Sequence, residues 1–166
     1  MSARPALTRE QDPPPENQRF ERILLASEGR PIPKAAVARV VELARRSDAS
    51  VRVLSIARVH GVAFGLPNPG LLPTKREWDE QRDMVRKVVR QLERKGIDAD
   101  GHVVGTRNAT KRIVREAEFA GCDAIVMAAD PDRGRIVGDF SWSQEPQRVR
   151  RKAKIPVFLV SDEPSA

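Results

Sequence analysis

Four largely apolar runs punctuate this chain: FERILLAS at 20–27, VRVLSIA at 51–57, AIVMAA at 124–129 and PVFLV at 156–160. Between them lie segments whose apolar residues recur at helical spacing. A strand with one wet face alternates apolar and polar residues, whereas a strand that is apolar throughout has both faces covered. Such strands alternating with amphipathic helices predict a parallel sheet held between two helix layers. Right-handed crossovers leave few ways to connect that sheet, chiefly an open, doubly wound α/β fold.

The helix signals fill in the order. Pro33 suits a first helical turn, and Ala36, Val37, Val40, Leu43 and Ala44 follow at helical spacing before the pattern fades at Arg46–Ser47. Residues 58–73 carry three Gly and three Pro and read as an extended loop. Thr74 and Glu77 form a T-x-x-E capping box, opening the longest helix. Trp78, Met84, Val85, Val88, Val89 and Leu92 line its apolar face, and Gly96 stops it. A third strand is predicted near Ala99–Val104, and Asn108 is placed to cap a helix through Ile113, Val114, Ala117 and Ala120, closed by Gly121. A last helix spans 144–152, and Pro156–Ser161 form the fifth strand.

Residues 1–19 are rich in Pro, Gln, Glu and Arg and poor in aliphatics, so a flexible tail is expected there, followed by one domain over 20–162 and a short tail at 163–166. Aromatics are 4% of residues and Tyr is absent, so aliphatic side chains must fill the core. One Cys excludes an intramolecular disulfide framework and suits a reducing compartment, and Cys122 reads as a small packed thiol. No run approaches the ~20 apolar residues of a membrane span, and the N-terminus has no secretory h-region. The expected location is cytoplasmic, with no membrane insertion. The net charge of +7 permits phosphate-rich ligands.

Ligands of open α/β sheets bind beyond the carboxyl ends of the strands, which directs attention to the loop after Ala129. Taken together and in order, ILLASEG at 23–29, the long helix ending at Gly96, VVGTRNATKRIVREAE at 103–118, and DAIVMAA followed by QRVRRKAKIPVFLV resemble the universal stress protein superfamily. The resemblance spans 20–162 and implies a Rossmann-like, adenine nucleotide alpha hydrolase-like sheet of strand order 3-2-1-4-5. It also implies homodimerisation through the last strand, Val157–Val160, and ATP or AMP as ligand.

The superfamily's nucleotide motif, G-x2-G-x9-G-[ST], works because glycine leaves backbone N–H groups open to phosphate oxygens beside a helix N-terminus. Mapped onto this chain, the motif meets Ala128, Pro131 and Ser143–Gln144. Pro131 has no N–H to offer, and the acidic residue after the first strand is Glu28 rather than Asp. The loop keeps Gly134 and Gly138 and adds Arg133 and Arg135, which can clamp phosphate without a glycine cradle.

Two readings stand. One is an altered nucleotide or anion pocket of Ser27, Glu28, Ile56, Ala57, Ala128, Asp130, Arg133, Arg135, Gly138 and Ser143; the other is a solvated surface loop. The resulting functional expectation is a dimeric binding or regulatory module of the stress response, without catalytic residues, whose ATP or AMP binding is altered or lost. A weak ATP hydrolase is the alternative, with Glu28 or Asp130 orienting water, although no P-loop lysine accompanies them.

His60 and His102 lack partners at metal-ligand spacing, so no metal is expected; the acidic series Asp130, Asp132, Asp139 and Glu145 reads as neutralised by interleaved arginines. Arg148, Arg150, Arg151, Lys152 and Lys154 could bind an anion or nucleic acid, but no stacking or helix-turn-helix motif accompanies them, so a solvated face is expected and nucleic acid is not. Phe140 and Trp142 suit anchoring of their loop on the core, or a protein-partner patch.

Overall fold

The computed structural model describes residues 17–58, 72–130 and 144–161. In chain order these form β1 (Arg22–Ser27), α1 (Lys34–Ser47), β2 (Ser50–Arg58), α2 (Lys75–Arg94), β3 (Ala99–Thr106), α3 (Ala109–Phe119), β4 (Ala124–Ala129), α4 (Glu145–Lys152) and β5 (Val157–Ser161). The strands make one parallel sheet of order β3-β2-β1-β4-β5, as the sequence predicts. β1 lies at its centre, in register with β2 (Leu25 against Val53) and β4 (Leu25 against Val126).

Alternate residues of each strand supply two cores. Ile23, Leu25, Val51, Val53, Ala124 and Val126 pack against α1 and α2; Leu24, Ala26, Leu54, Ile56, Ile125 and Met127 pack against α3 and α4. Ile23, Leu24 and Leu25 have no exposed surface. At ~1.5–3 kcal/mol per fully buried side chain of this size, β1 is the strand the sheet can least lose.

Helix ends follow local chemistry. The capping box at the start of α2 is present: Glu77 N–H donates to Thr74 Oγ1 at 3.2 Å, and Thr74 N–H to the Glu77 carboxylate at 3.2 Å. Asn108 Oδ1 accepts from Lys111 N–H at 3.0 Å and caps α3. Pro33 differs from the expectation. Its ψ of 158° is extended, so it is the cap residue outside α1, and its carbonyl accepts from Ala36 and Val37. The loop signal at 59–71, residues 1–16 of the expected N-terminal tail and the tail at 163–166 lie outside the described residues.

α2 approaches β3 over two glycines. A Cβ on Gly101 would sit 2.6 Å from Val85 Cγ1 and 2.9 Å from the Val53 carbonyl oxygen; one on Gly105 would meet the Trp78 ring at 2.9 Å. Backbone cannot yield as a side chain can. Gly101→Ala is therefore expected to cost about 1–3 kcal/mol in urea denaturation, and Gly105→Ala less, because Trp78 can turn aside. Equal costs would contradict this packing.

Candidate functional site

The chain leaves β1 through a four-residue turn, Ser27-Glu28-Gly29-Arg30, at the carboxyl end of the sheet. The Ser27 hydroxyl organises it, accepting from Gly29 N–H at 3.1 Å and donating to the Arg30 carbonyl. Gly29 has φ +123°, and a Cβ there would lie 3.2 Å from the Ile56 carbonyl, so only glycine fits without strain.

The turn sends the Arg30 side chain back across the sheet end. Its Nε donates to Glu28 Oε1 at 2.5 Å, and its Nη1 donates to Asp130 Oδ1, just past β4, at 3.1 Å. Glu28 and Arg30 are both buried, with 2% and 6% of their surface exposed. A carboxylate taken out of water alone costs several kcal/mol, so Glu28 depends on the guanidinium beside it. β1 and β4, not consecutive in the chain, are spatial neighbours here, where helices switch sides of the sheet. Arg30 thus bridges the crevice in which open α/β sheets hold ligands.

On the β2 side of this bridge lies a cavity of about 350 Å³, lined by Glu28, Gly29, Arg30, Ile56, Ala57, Arg58, Glu77 and Gln81. Arg58 Nε donates to the Glu28 carbonyl at 2.8 Å, and Gln81 Nε2 to the Gly29 carbonyl at 3.3 Å. Gln81 Oε1 accepts from the Ser55 hydroxyl. The first turns of α2 are thereby tied to β2 and to the β1 turn.

Of the residues singled out from sequence, Glu28, Ile56 and Ala57 line the cavity. Ser27 holds the turn beneath it, and Asp130 is the far partner of Arg30. Ala128 is a buried β4 residue in register with Val160, outside the cavity lining. Arg133, Arg135, Gly138 and Ser143 lie outside the described residues, as do His60, Pro131, Asp132, Asp139, Phe140 and Trp142.

Of the acidic series, Asp130 and Glu145 are among the described residues, and Glu145 sits at the start of α4. It accepts from Thr110 N–H at 3.1 Å and from the Thr110 hydroxyl, joining α4 to the start of α3, and pairs with Arg148. Sequence reading missed Arg30, Arg58, Glu77 and Gln81 as site residues. A signal existed in Arg30, a long cation placed directly after the strand-end glycine.

A second polar cluster sits on the α3 side of β2 and β3. Buried Glu116 receives Arg52 Nε at 2.8 Å, Arg112 Nη2 at 3.3 Å and His102 Nε2 at 3.3 Å. Arg52 Nη2 lies 3.2 Å from His102 Nδ1. Arginine can only donate, so Nδ1 accepts and the Nε2 proton faces Glu116. Burial, with Arg52 and Arg112 nearby, holds the His102 pKa below its usual value against the pull of Glu116 and Asp100. Burial likewise pushes the Cys122 thiol up to about 11, as suits a packed thiol. No group of three or more His, Cys, Asp or Glu among the described residues is arranged to hold a metal ion. No helix among them is long and apolar enough to cross a membrane.

A sequence model of the universal stress protein family matches residues 19–161. The chain belongs to the universal stress protein family. Solved structures carry the same fold. A universal stress protein family member from Burkholderia pseudomallei is 19% identical, with a TM-score of 0.63 covering 89% of this chain and 98% of that one. A universal stress protein in complex with cAMP is 16% identical, with a TM-score of 0.62 over 88% of this chain and 100% of that one. The universal stress protein from Archaeoglobus fulgidus in complex with dAMP is 18% identical, with a TM-score of 0.60 over 86% and 98%. No curated protein matches the sequence.

Within this family member, removing Arg30 takes away the guanidinium from which buried Glu28 Oε1 accepts. Arg30→Met is expected to lower unfolding free energy by about 3 kcal/mol, and Glu28→Gln/Arg30→Met to recover most of it, because both members of the buried pair are then neutral. Chemical denaturation checks this; a double variant as unstable as the single one contradicts it.

Proposed function

We propose that this universal stress protein is a homodimeric binding or regulatory module of the stress response, cytoplasmic and without catalytic chemistry of its own. Its ligand site is the cavity at the carboxyl ends of β1 and β2, and its ATP or AMP binding is altered or lost. The observation that carries this reading is the Arg30 bridge. A guanidinium held by Glu28 and Asp130 crosses the crevice at the sheet's switch point. Ala128 and Pro131 stand where the superfamily's phosphate loop has glycine, and Pro131 has no N–H to offer. Solved family members are complexes with cAMP and dAMP, which supports a nucleotide-type ligand for the cavity. Glu28 is 2% exposed and held by Arg30, which disfavours the hydrolase alternative, since a water-orienting carboxylate must be reached by water.

In this reading Arg133 and Arg135 supply whatever phosphate contact remains. Calorimetric titration with ATP and AMP is expected to give no binding, or binding weakened about tenfold or more by the combined Arg133→Ala and Arg135→Ala substitutions. Micromolar ATP binding that survives both substitutions contradicts the altered-loop account.

The dimer is proposed to form by antiparallel pairing of β5 across a two-fold axis. β5 is the sheet's edge, and Ile125 N–H donates to the Pro156 carbonyl at 2.9 Å. The parallel ladder then turns the N–H groups of Val157, Leu159 and Ser161 away from β4, where a second copy can use them. Light scattering is expected to give twice the chain mass, and the monomer mass for Leu159→Pro, which removes one outward donor. A monomeric parent protein, or a folded Leu159→Pro dimer, contradicts this pairing.

A further inference from the structure

The two helix layers answer their surface charge differently. On α2, Arg76 pairs with Glu80, Arg82 with Asp79 and Arg86 with Asp83, and on α1 both Arg39 and Arg46 reach Glu42. Across the sheet α3 packs beside α4, and their starts are joined through Thr110 and Glu145. Glu116 is buried and Glu145 is engaged by Thr110 and Arg148, so Glu118 is the one exposed carboxylate these two helices carry. Against it stand Lys111 and Arg115 on α3 and Arg148, Arg151 and Lys152 on α4, all exposed. Of these five cations only Arg148 has an ion pair among the described residues.

The α3 cations belong to a stripe. Lys111, Arg115 and Phe119 recur every four residues, which sets them on one helix face, and Phe119 at its end is 93% exposed. The other phenylalanines among the described residues, Phe20 and Phe158, pack against each other with ring centroids 5.8 Å apart, on the α1 and α2 side of the sheet. An exposed apolar residue standing singly is ordinary. Phe119 is set apart by its place on a helix face whose cations lack counter-charges.

That combination selects among partners. Duplex DNA engages cations through its phosphates and has no use for a ring at the end of the stripe. Single strands are held by several stacking rings along a groove, and among the described residues this layer presents one. A membrane surface takes a broad apolar face, whereas the stripe has a single apolar residue. A second copy set face to face brings the same charge. An acidic protein segment with an apolar side answers both features, giving carboxylates to the cations and a contact to Phe119. Arginine and phenylalanine are also residue types that protein interfaces favour.

We propose that the outer face of α3 and α4 is a protein-docking surface for an acidic amphipathic segment. Lys111, Arg115 and Arg151 take its carboxylates, and Phe119 takes its apolar side. The surface lies on the helix layer, apart from the cavity at the carboxyl ends of β1 and β2, and works whether or not a nucleotide binds there.

Fluorescence anisotropy with a labelled synthetic helix of Glu and Leu tests it, beside labelled poly-glutamate of equal charge, a labelled DNA duplex, and co-sedimentation with phosphatidylserine vesicles. The Glu/Leu helix is expected to bind, and poly-glutamate to bind about fivefold or more weaker because it offers Phe119 nothing. Lys111→Glu/Arg115→Glu is expected to weaken helix binding about tenfold or more, and Phe119→Ser about fivefold while leaving poly-glutamate unchanged. All three positions are exposed, so both variants are expected to melt within about 2 °C of the parent. Absent helix binding, or binding unchanged in both folded variants, overturns the proposal. Poly-glutamate binding as tightly as the helix reduces the face to bare charge and also overturns it. Tighter binding of the duplex or the vesicles gives the face to nucleic acid or to a membrane, which overturns it as well.

Discussion

A carboxylate buried at the end of the central strand must be matched by a cation, and the rest of the site is arranged around that requirement. Glu28 is buried directly after the central strand, Arg22–Ser27, with 2% of its surface exposed. Arg30 supplies the match only because the Ser27 hydroxyl and the positive φ of Gly29 fold the chain back within two residues. Once the guanidinium is turned inward it also reaches Asp130, so one side chain joins β1 to β4 across the crevice. The cavity lies beside that bridge.

Both helix layers contribute to holding it. Gly101 lets α2 sit close on β3, which brings Gln81 to the Gly29 carbonyl and to Ser55. On the opposite face, Glu116 gathers Arg52, Arg112 and His102, tying α3 to β2 and β3. The two polar clusters differ in character. Glu116 meets three donors, whereas Arg30 meets two carboxylates. The first ties helix to sheet, and the second spans the crevice between β1 and β4.

Much of the fold could be read from local pattern. Continuous apolar runs marked the strands, the Thr74–Glu77 box and Asn108 marked two helix starts, and Gly96 and Gly121, both at positive φ, marked two helix ends. Those signals are short-range, and so is the physics behind them. Pro33 went the other way because its extended ψ suits the cap as well as its fixed φ suits the first turn. The site was less readable. Glu28 was singled out through the superfamily resemblance, and it lines the cavity with Ile56 and Ala57. Arg30 was missed because its meaning depends on Asp130, a hundred residues away, and on burial that no local pattern reports. Gln81 and Glu77 were hidden by their place on a helix whose outer face is otherwise solvated. Ala128 was included by motif alignment; it is a buried β4 residue outside the cavity lining.

The central claim is that the Arg30 guanidinium is locked between Glu28 and Asp130 at the switch point of the sheet. Proton–nitrogen correlation spectra of arginine Nε–H groups in the full chain at neutral pH report on that state directly. The account expects one Nε–H signal that exchanges slowly with water, disappears in Arg30→Lys and moves markedly in Glu28→Gln. An Arg30 signal that exchanges as fast as those of the exposed arginines, and ignores Glu28→Gln, would contradict it.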